Sequence, residues 1–453
     1  MYYFVTIGKI QPSPENVQDQ GWIVESLPMH LDWNKTLHME TIIRTYHTEQ
    51  NADVIDLAAE ILRRGGLVAF PTETVYGLGG DALDPSAAMR IYAAKGRPSD
   101  NPLIVHIADT ADVWKLAEDV PDTAVMLMEA FWPGPLTIIL KKKSMVPDAT
   151  TGGLPTVAIR MPSHPAAMEM IRRSGVYVAA PSANRSGRPS PTTAEHVAED
   201  LNGAIDMILD GGPVGIGIES TIVDLTGEVP MILRPGFITP AMLEAIVGHV
   251  ELDPSLVALE EETDEGTMTE EELAEASVQA KETSHTDASG DSKETKTAGA
   301  STDTAADHSL PSLDSAMQHP KAPGMRYTHY APKGTLSIIT DRLHPELITE
   351  AVTGHIRSLA AAALAEGHET AVMTTGETAE AYDSLRSNPH FHLILLGNSQ
   401  DGQTVAAHLY GALRSCDALG CDRIFSESFR RDALGSAIMN RLVKAAGHRI
   451  ISV

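Results

Sequence analysis

The chain is 453 residues long and 43% hydrophobic, which predicts two domains with full cores plus additional segments. Its formal net charge of −27 excludes a general nucleic-acid-binding surface. No apolar run is long enough to span a membrane, and no positively charged flank leads into an apolar core as in a signal peptide. The two cysteines, Cys416 and Cys421, argue for a reducing compartment, which points to the cytoplasm, and against structural zinc.

Residues 1–38 carry no periodic pattern; Met39 reads as the native start, with what precedes it a dispensable extension. A first domain is expected over 39–248. Asn51 or Asp53 caps a helix whose apolar positions Val54, Leu57, Ala58, Ile61 and Leu62 share one face, and Gly65-Gly66 ends it. A short apolar run closed by Pro71 predicts a strand over 67–70. A Thr- and Gly-rich turn over 72–80 follows. The next helix, 85–95, has Asp84 as N-cap, Pro85 at its first position and Gly96 just past its end. A strand over 103–107 comes next. Strand ends and the helix C-terminus then present Thr72, Thr74, Lys95, Arg97, Asn101 and His106, two cations with hydroxyls and an amide suited to a polyanion such as a nucleoside triphosphate. Taken singly, Lys95 reads equally as complementing the helix dipole, and His106 as a hydrogen-bonded core histidine.

Helices are predicted over 111–118 and 122–131, a strand over 136–140, a strand over 156–160 ending in Arg160, a helix over 164–173 and a strand over 176–180. The string APSANRSGRPSPTT is a loop of small residues with Ser182 and Asn184 as compact hydrogen-bond partners. GGPVGIG lacks the Gly-Lys-Ser/Thr ending of a P-loop, so no Walker motif is read there. Residues 218–224 read as a strand entry with a polar pair, 231–236 as a strand with Arg234 near its end, and 239–247 as a closing helix. Residues 251–320 hold 18 Asp/Glu against 3 Lys, a net charge of −15, which leaves −12 for the rest. They contain no Phe, Trp or Tyr and cannot bury enough surface to offset ordering entropy, so 249–321 is expected to be a disordered or loosely helical linker. An aromatic and cationic segment, 322–335, leads into strands over 336–339, 371–374, 392–396 and 423–425, alternating with helices over 345–366, 404–419 and 433–446. That order predicts a small parallel α/β domain over 336–453.

PTETVYGLG followed by KGRPSDNPLIVHI closely resembles the signature of the YrdC/Sua5 family, the threonylcarbamoyl-AMP synthases. Lys95-Gly96-Arg97 and Ser182-Ala183-Asn184 are similar to the family's Lys-x-Arg and Ser-x-Asn pairs, which mark its nucleotide site. PGMRYTHYAP resembles the interdomain motif of the long, two-domain Sua5 form, and SESFRRDALGSAIMNRLVKAA the end of its C-terminal domain. The resemblance covers about 53–248 and 323–453. It implies an α/β fold: a YrdC-like twisted mixed sheet with flanking helices around a concave pocket, plus a smaller parallel, Rossmann-like C-terminal domain. It implies a nucleotidyltransferase that makes L-threonylcarbamoyl-AMP and pyrophosphate from L-threonine, bicarbonate or CO2, and ATP, the first step of tRNA t6A37 modification. Carried over by the resemblance, Thr74, His106, Arg160 and Ser220 surround threonine, and Ser182 lies between the two ligands. Arg97, Asn101, Thr156, Asn184, Thr192, Arg234 and Tyr330 serve ATP or the adenylate. Lys95, Arg97, Ser182 and Asn184 form the catalytic group, and Lys95 adds charge for the phosphates. Mg2+ is implied with ATP, held mostly by substrate oxygens and water. The interdomain motif is implied to fold back over the pocket, with Tyr330 on the nucleotide. The product passes to the tRNA threonylcarbamoyl transferase complex, and weak tRNA binding by the concave face belongs to the same picture. The carbamoyl-transfer module of hydrogenase maturation is a rival that would bring paired-cysteine zinc fingers, which two cysteines cannot build.

Overall fold

The protein was analysed as a computed structural model, which describes residues 40–47, 52–256, 321–323, 330–342, 344, 347–430 and 434–453. The extension 1–38, nearly all of the acidic segment, and Arg326 and Tyr327 of the interdomain motif lie outside the described residues. The described strands are β1 (Ile42–Thr45), β2 (Val68–Phe70), β3 (Gly77–Asp81), β4 (Ile104–His106), β5 (Leu136–Lys141), β6 (Thr156–Arg160), β7 (Val178–Ala180), β8 (Met207–Asp210), β9 (Thr221–Asp224), β10 (Met231–Arg234), β11 (Glu251–Leu252), β12 (Thr335–Thr340), β13 (Thr370–Thr374), β14 (Phe391–Leu395), β15 (Arg423–Glu427) and β16 (Ile450–Ser452). They form two sheets. The larger is mixed, with order β1-β8-β2-β3-β7-β4-β6-β5-β9-β10-β11. The smaller has order β14-β13-β15-β12-β16, and every pair in it is parallel. This is the α/β architecture that the sequence predicts.

Local chemistry sets the elements that frame the larger sheet's open face. Helix Pro85–Lys95 starts where Asp84 accepts from the Ser86 amide at 2.8 Å, and stops at Gly96, whose φ of 61° suits a residue without Cβ. Helix Pro165–Ser174 starts on His164, whose ring nitrogen accepts from the Ala166 amide at 3.2 Å. The first helix, Ala52–Arg63, buries Ile55, Ala58, Ala59 and Leu62, while Leu57 is exposed. Its buried stripe is therefore rotated from the one expected, because it packs against helix Pro165–Ser174 as well as the sheet, in one cluster with Met170 and Ile171.

The stretch 72–80 corrects a second expectation. It is not all turn: Gly77–Asp81 forms β3, antiparallel to β2 with Val68 opposite Gly79 and Phe70 opposite Gly77. The glycines hide the strand from pattern reading and are required by its packing. A Cβ on Gly79 would stand 2.7 Å from Val178 Cγ1 and 2.9 Å from Phe70 Cε1. Gly79→Ala should therefore cost about 1–3 kcal/mol of stability through overpacking, read as a lower denaturant midpoint. Strands β1, β8 and β16 and helix Ala194–Leu201 are further elements that the sequence pattern did not announce. The segment expected as one helix over 111–118 is a 3-10 turn, Thr110–Asp112, running into a short helix, Val113–Leu116.

The two halves share a core. Val75 and Ile218 from the first half cluster with Tyr330, Leu409, Tyr410, Leu413, Ile438 and Leu442 of the second. Buried ion pairs cross the same boundary: Arg414 with Asp200 at 2.8 Å, and Arg441 with Glu219 at 3.2 Å. Desolvated charges of this kind are tolerated only when paired, so the docked arrangement is specified rather than incidental.

Candidate active site

A cleft with a cavity volume of about 60 Å³ lies over the middle of the larger sheet, and nine of the expected site residues line it: Thr74, Lys95, Arg97, His106, Arg160, Ser182, Asn184, Arg234 and Tyr330. Register explains the convergence. His106 at the end of β4 lies beside Arg160 at the end of the parallel strand β6. Antiparallel β7 sets Ala180 beside Ile104, so the chain leaving β7 carries Ser182 and Asn184 to the other end of β4. Ile104 and His106, two residues apart, face the cleft together, while Val105 points into the main core.

Four buried polar atoms at this site have no hydrogen-bond partner among the described residues: Glu73 Oε1, Arg97 Nε, Asn101 Oδ1 and Arg160 Nη2. A buried polar atom left bare costs on the order of 1–3 kcal/mol, which makes the unpartnered Arg97 Nε, on a residue that lines the cleft, a place for a polar ligand. Glu73 Oε1 and Arg160 Nη2 are 2.8 Å apart, an ion pair without hydrogen-bond alignment. Arg97 donates to the carbonyls of Asn101 at 3.4 Å and Pro102 at 3.2 Å. Burial lowers its guanidinium to about 10, which leaves it charged at neutral pH. Among the described residues, neither Arg97 nor Arg234 has a carboxylate within ion-pair distance. Arg234 donates only to neutral acceptors, the Ser220 carbonyl at 3.0 Å, Ser220 Oγ at 3.1 Å and the Pro323 carbonyl at 3.2 Å.

Lys95 stands differently from the expectation of a cation offered to phosphate. Its Nζ donates to the carbonyls of Ser182 and Asn184 and lies 3.3 Å from Asn184 Oδ1. Burial, and then Arg97 nearby, pull the ammonium well below its usual range, while three oxygen acceptors hold its protons in place. Lys95 thus secures the loop on which Ser182 and Asn184 sit. Ser182 Oγ donates to Asn184 Oδ1 at 2.5 Å, and Asn184 Nδ2 donates to the carbonyls of Arg185 and Arg188, both at 2.8 Å.

Four expected residues do not line the cleft. Ser220 lies behind it, its Oγ 2.8 Å from Thr137 Oγ1 and 3.1 Å from Arg234. Asn101 is buried beside Arg97. Thr156 shares a strand face with Arg160, four residues and roughly 13 Å away. Thr192 faces a neighbouring groove against the second half, with its hydroxyl 3.3 Å from His196. Conversely, Glu73 and Glu219 line or edge the site and were not singled out from the sequence. Tyr330, at φ 69°, holds a backbone conformation uncommon for a residue with a side chain, with its ring centroid 5.0 Å from that of Tyr410.

His106 is 4% exposed, with Nδ1 3.1 Å from the Ile104 carbonyl and its ring edge-on to Phe70. Burial, reinforced by Arg160, lowers it to about 3. Between pH 6.5 and 3 the unfolded chain therefore binds a proton at this residue that the folded chain refuses. Stability should fall as pH drops through that window, by up to about 1.4 kcal/mol per unit from this group. His106→Asn should show a shallower loss between pH 6.5 and 4.5 in denaturant titrations than the parent protein; equal slopes would remove His106 as the cause.

Comparison with known proteins bears on the same residues. A Sua5/YciO/YrdC family model described as "Telomere recombination" matches residues 60–236, and one described as "Threonylcarbamoyl-AMP synthase, C-terminal domain" matches 268–447. Proteins named threonylcarbamoyl-AMP synthase are similar over most of their length. That of Bacillus subtilis is 42% identical over 407 residues, 88% of this chain and 95% of that protein. That of Pyrococcus abyssi is 40% identical over 399 residues, 88% of this chain and 96% of that protein. The crystal structure of P. abyssi Sua5 complexed with L-threonine aligns with a TM-score of 0.72 at 39% identity, covering 91% of this chain and 100% of that one.

Proposed function

The chain belongs to the Sua5 family of threonylcarbamoyl-AMP synthases, and from that premise we propose that it joins L-threonine, bicarbonate or CO2, and ATP into L-threonylcarbamoyl-AMP with release of pyrophosphate. The observation that carries this reading is the cleft itself. It combines two cations with no carboxylate at ion-pair distance among the described residues, Arg97 and Arg234, with a separate buried Glu73–Arg160 ion pair. The first pair suits phosphate. The second suits a zwitterion, with Arg160 to a carboxylate and Glu73 to an ammonium. His106 stands beside Arg160 across the strand pair, and Thr74, Ser182 and Asn184 line the same cleft.

The chemistry asks little covalent help from the protein. The threonine nitrogen attacks the carbon of CO2 and loses a proton, giving a carbamate. A carbamate oxygen then attacks the α-phosphorus in line, a new P–O bond forms and the bond to pyrophosphate breaks. Positioning and charge stabilisation dominate such transfers. Arg97 and Arg234 bind the phosphates, and neutral His106 offers hydrogen bonding without adding a charge beside Arg160. Among the described residues no group of three His, Cys, Asp or Glu is placed for a metal, and Glu73 and Glu219 are both paired with arginines. Magnesium would arrive as part of the ATP substrate, and no step is assigned to it.

The same reading has the product passed to the tRNA threonylcarbamoyl transferase complex in the cytoplasm, with at most weak tRNA binding by this chain. No helix among the described residues is long and apolar enough to cross a membrane. Identity of the product is the test. With ¹³C-bicarbonate, threonine and ATP, mass spectrometry should find an adenylate carrying threonine and one labelled carbon. Formation of an unlabelled threonyl adenylate would contradict the reading.

A further inference from the structure

We propose that Arg441, in the C-terminal half, is a positioning residue for the phosphate end of the cleft: by holding the Glu219 carboxylate it keeps Arg234 free to meet the nucleotide. The inference rests on the reading of that end as a nucleotide site. Glu219 is 6% exposed and lines the cleft, one residue before Ser220, on which Arg234 is anchored. A buried carboxylate needs compensation, and the nearest cations compete for it. Here it is satisfied from the other side. Arg441 Nε donates at 3.2 Å, Ser190 Oγ donates at 2.6 Å, and the Tyr410 hydroxyl lies 3.0 and 2.9 Å from the two oxygens. Burial opposes ionisation of Glu219, yet Arg441 and Arg234 outweigh it and hold the group at about 2.

The outcome is a division of labour between two arginines. Arg441, wholly buried, neutralises Glu219, while Arg234 donates only to carbonyls and a hydroxyl and keeps its charge for the cleft. Arg441 also donates to the carbonyl of Pro235, next to Arg234, and so fixes the backbone that carries it. Remove Arg441, and Arg234, which already feels the Glu219 charge, is left to relieve it; pairing would take it from the phosphate. With Arg441 in place, burial first, and then Arg441 and Arg234, lower Lys444, one turn along the same helix, to about 7, so Arg441 and not Lys444 is the fixed charge on Glu219. Arg441 and Glu219 are 222 positions apart, so this end of the cleft is complete only with the halves docked.

The test is calorimetric titration of the full chain with ATP, and separately with threonine. In Arg441→Met, ATP binding should weaken by about 10- to 100-fold, the range for losing a charge-assisted contact, while threonine binding changes by less than about twofold. The double variant Glu219→Gln/Arg441→Met removes the competitor together with its neutraliser and should regain most of the ATP affinity. A purely structural latch would leave the double variant as weak as the single one, and that result overturns the proposal, as does unchanged ATP binding in Arg441→Met. Should Arg441→Met fail to fold, Glu219→Gln alone decides: it should bind ATP at least as tightly as the parent, and weaker binding overturns the proposal. A parent protein that does not bind ATP overturns the nucleotide reading of the cleft and this inference with it. A parent that binds, with no effect of Arg441, overturns the inference alone.

Discussion

Arg97→Ala should lower threonine-dependent pyrophosphate release by on the order of 100-fold or more in a protein whose fold is intact. The side chain is held over the cleft by two carbonyls, of Asn101 and Pro102, and its Nε has no partner among the described residues. Neutral acceptors fix its direction without consuming its charge. A preorganised cation of this kind stabilises charge that develops on the phosphates and costs no reorganisation when the reaction occurs. Arg97 is not among the apolar residues of the main core, which gathers around Leu103, Val105 and Ile91. Unchanged circular dichroism with lost activity is the expected pair of results; near-normal activity in the folded variant would take Arg97 out of the mechanism.

Cutting the chain before Pro323 should have an effect of similar size, leaving a first half with activity reduced by on the order of 100-fold. Three losses combine. Tyr330, which lines the cleft against Tyr410, disappears. Glu219 and Asp200 lose Arg441 and Arg414. Val75, in the turn that carries Thr74, loses the second half's apolar cover. A site that makes a carbamate and a mixed anhydride must limit water, and a half-open cleft does not. Full activity in the truncated chain would reduce the C-terminal half to an appendage.

The legible part of this protein is the part written locally. The helix from Pro85 to Lys95 is declared by Asp84, Pro85 and Gly96 within a dozen residues, and the strand bearing Arg160 by its own apolar run. Those elements bring Lys95, Arg97 and Arg160 to the cleft, beside His106 at the end of β4. What escaped depends on contacts between distant segments. Gly77–Asp81 looks like a turn because its glycines bear no pattern; Phe70 and Val178 across the sheet are the reason for them. Lys95 reads as a free cation until the carbonyls of Ser182 and Asn184, nearly ninety positions on, are seen to take it. Arg441 left one trace: it follows Ala437 and Ile438 on the buried face of its helix, where an unpaired cation is untenable. That its partner would be Glu219 is visible only in the fold.

The most direct measurement is pyrophosphate release by the full chain with ATP present and threonine or bicarbonate left out in turn. The account predicts release only when both are supplied, because the nucleophile that attacks the α-phosphorus is the carbamate they form together. Release that continues undiminished without threonine, or in buffer stripped of CO2 and bicarbonate, would contradict it.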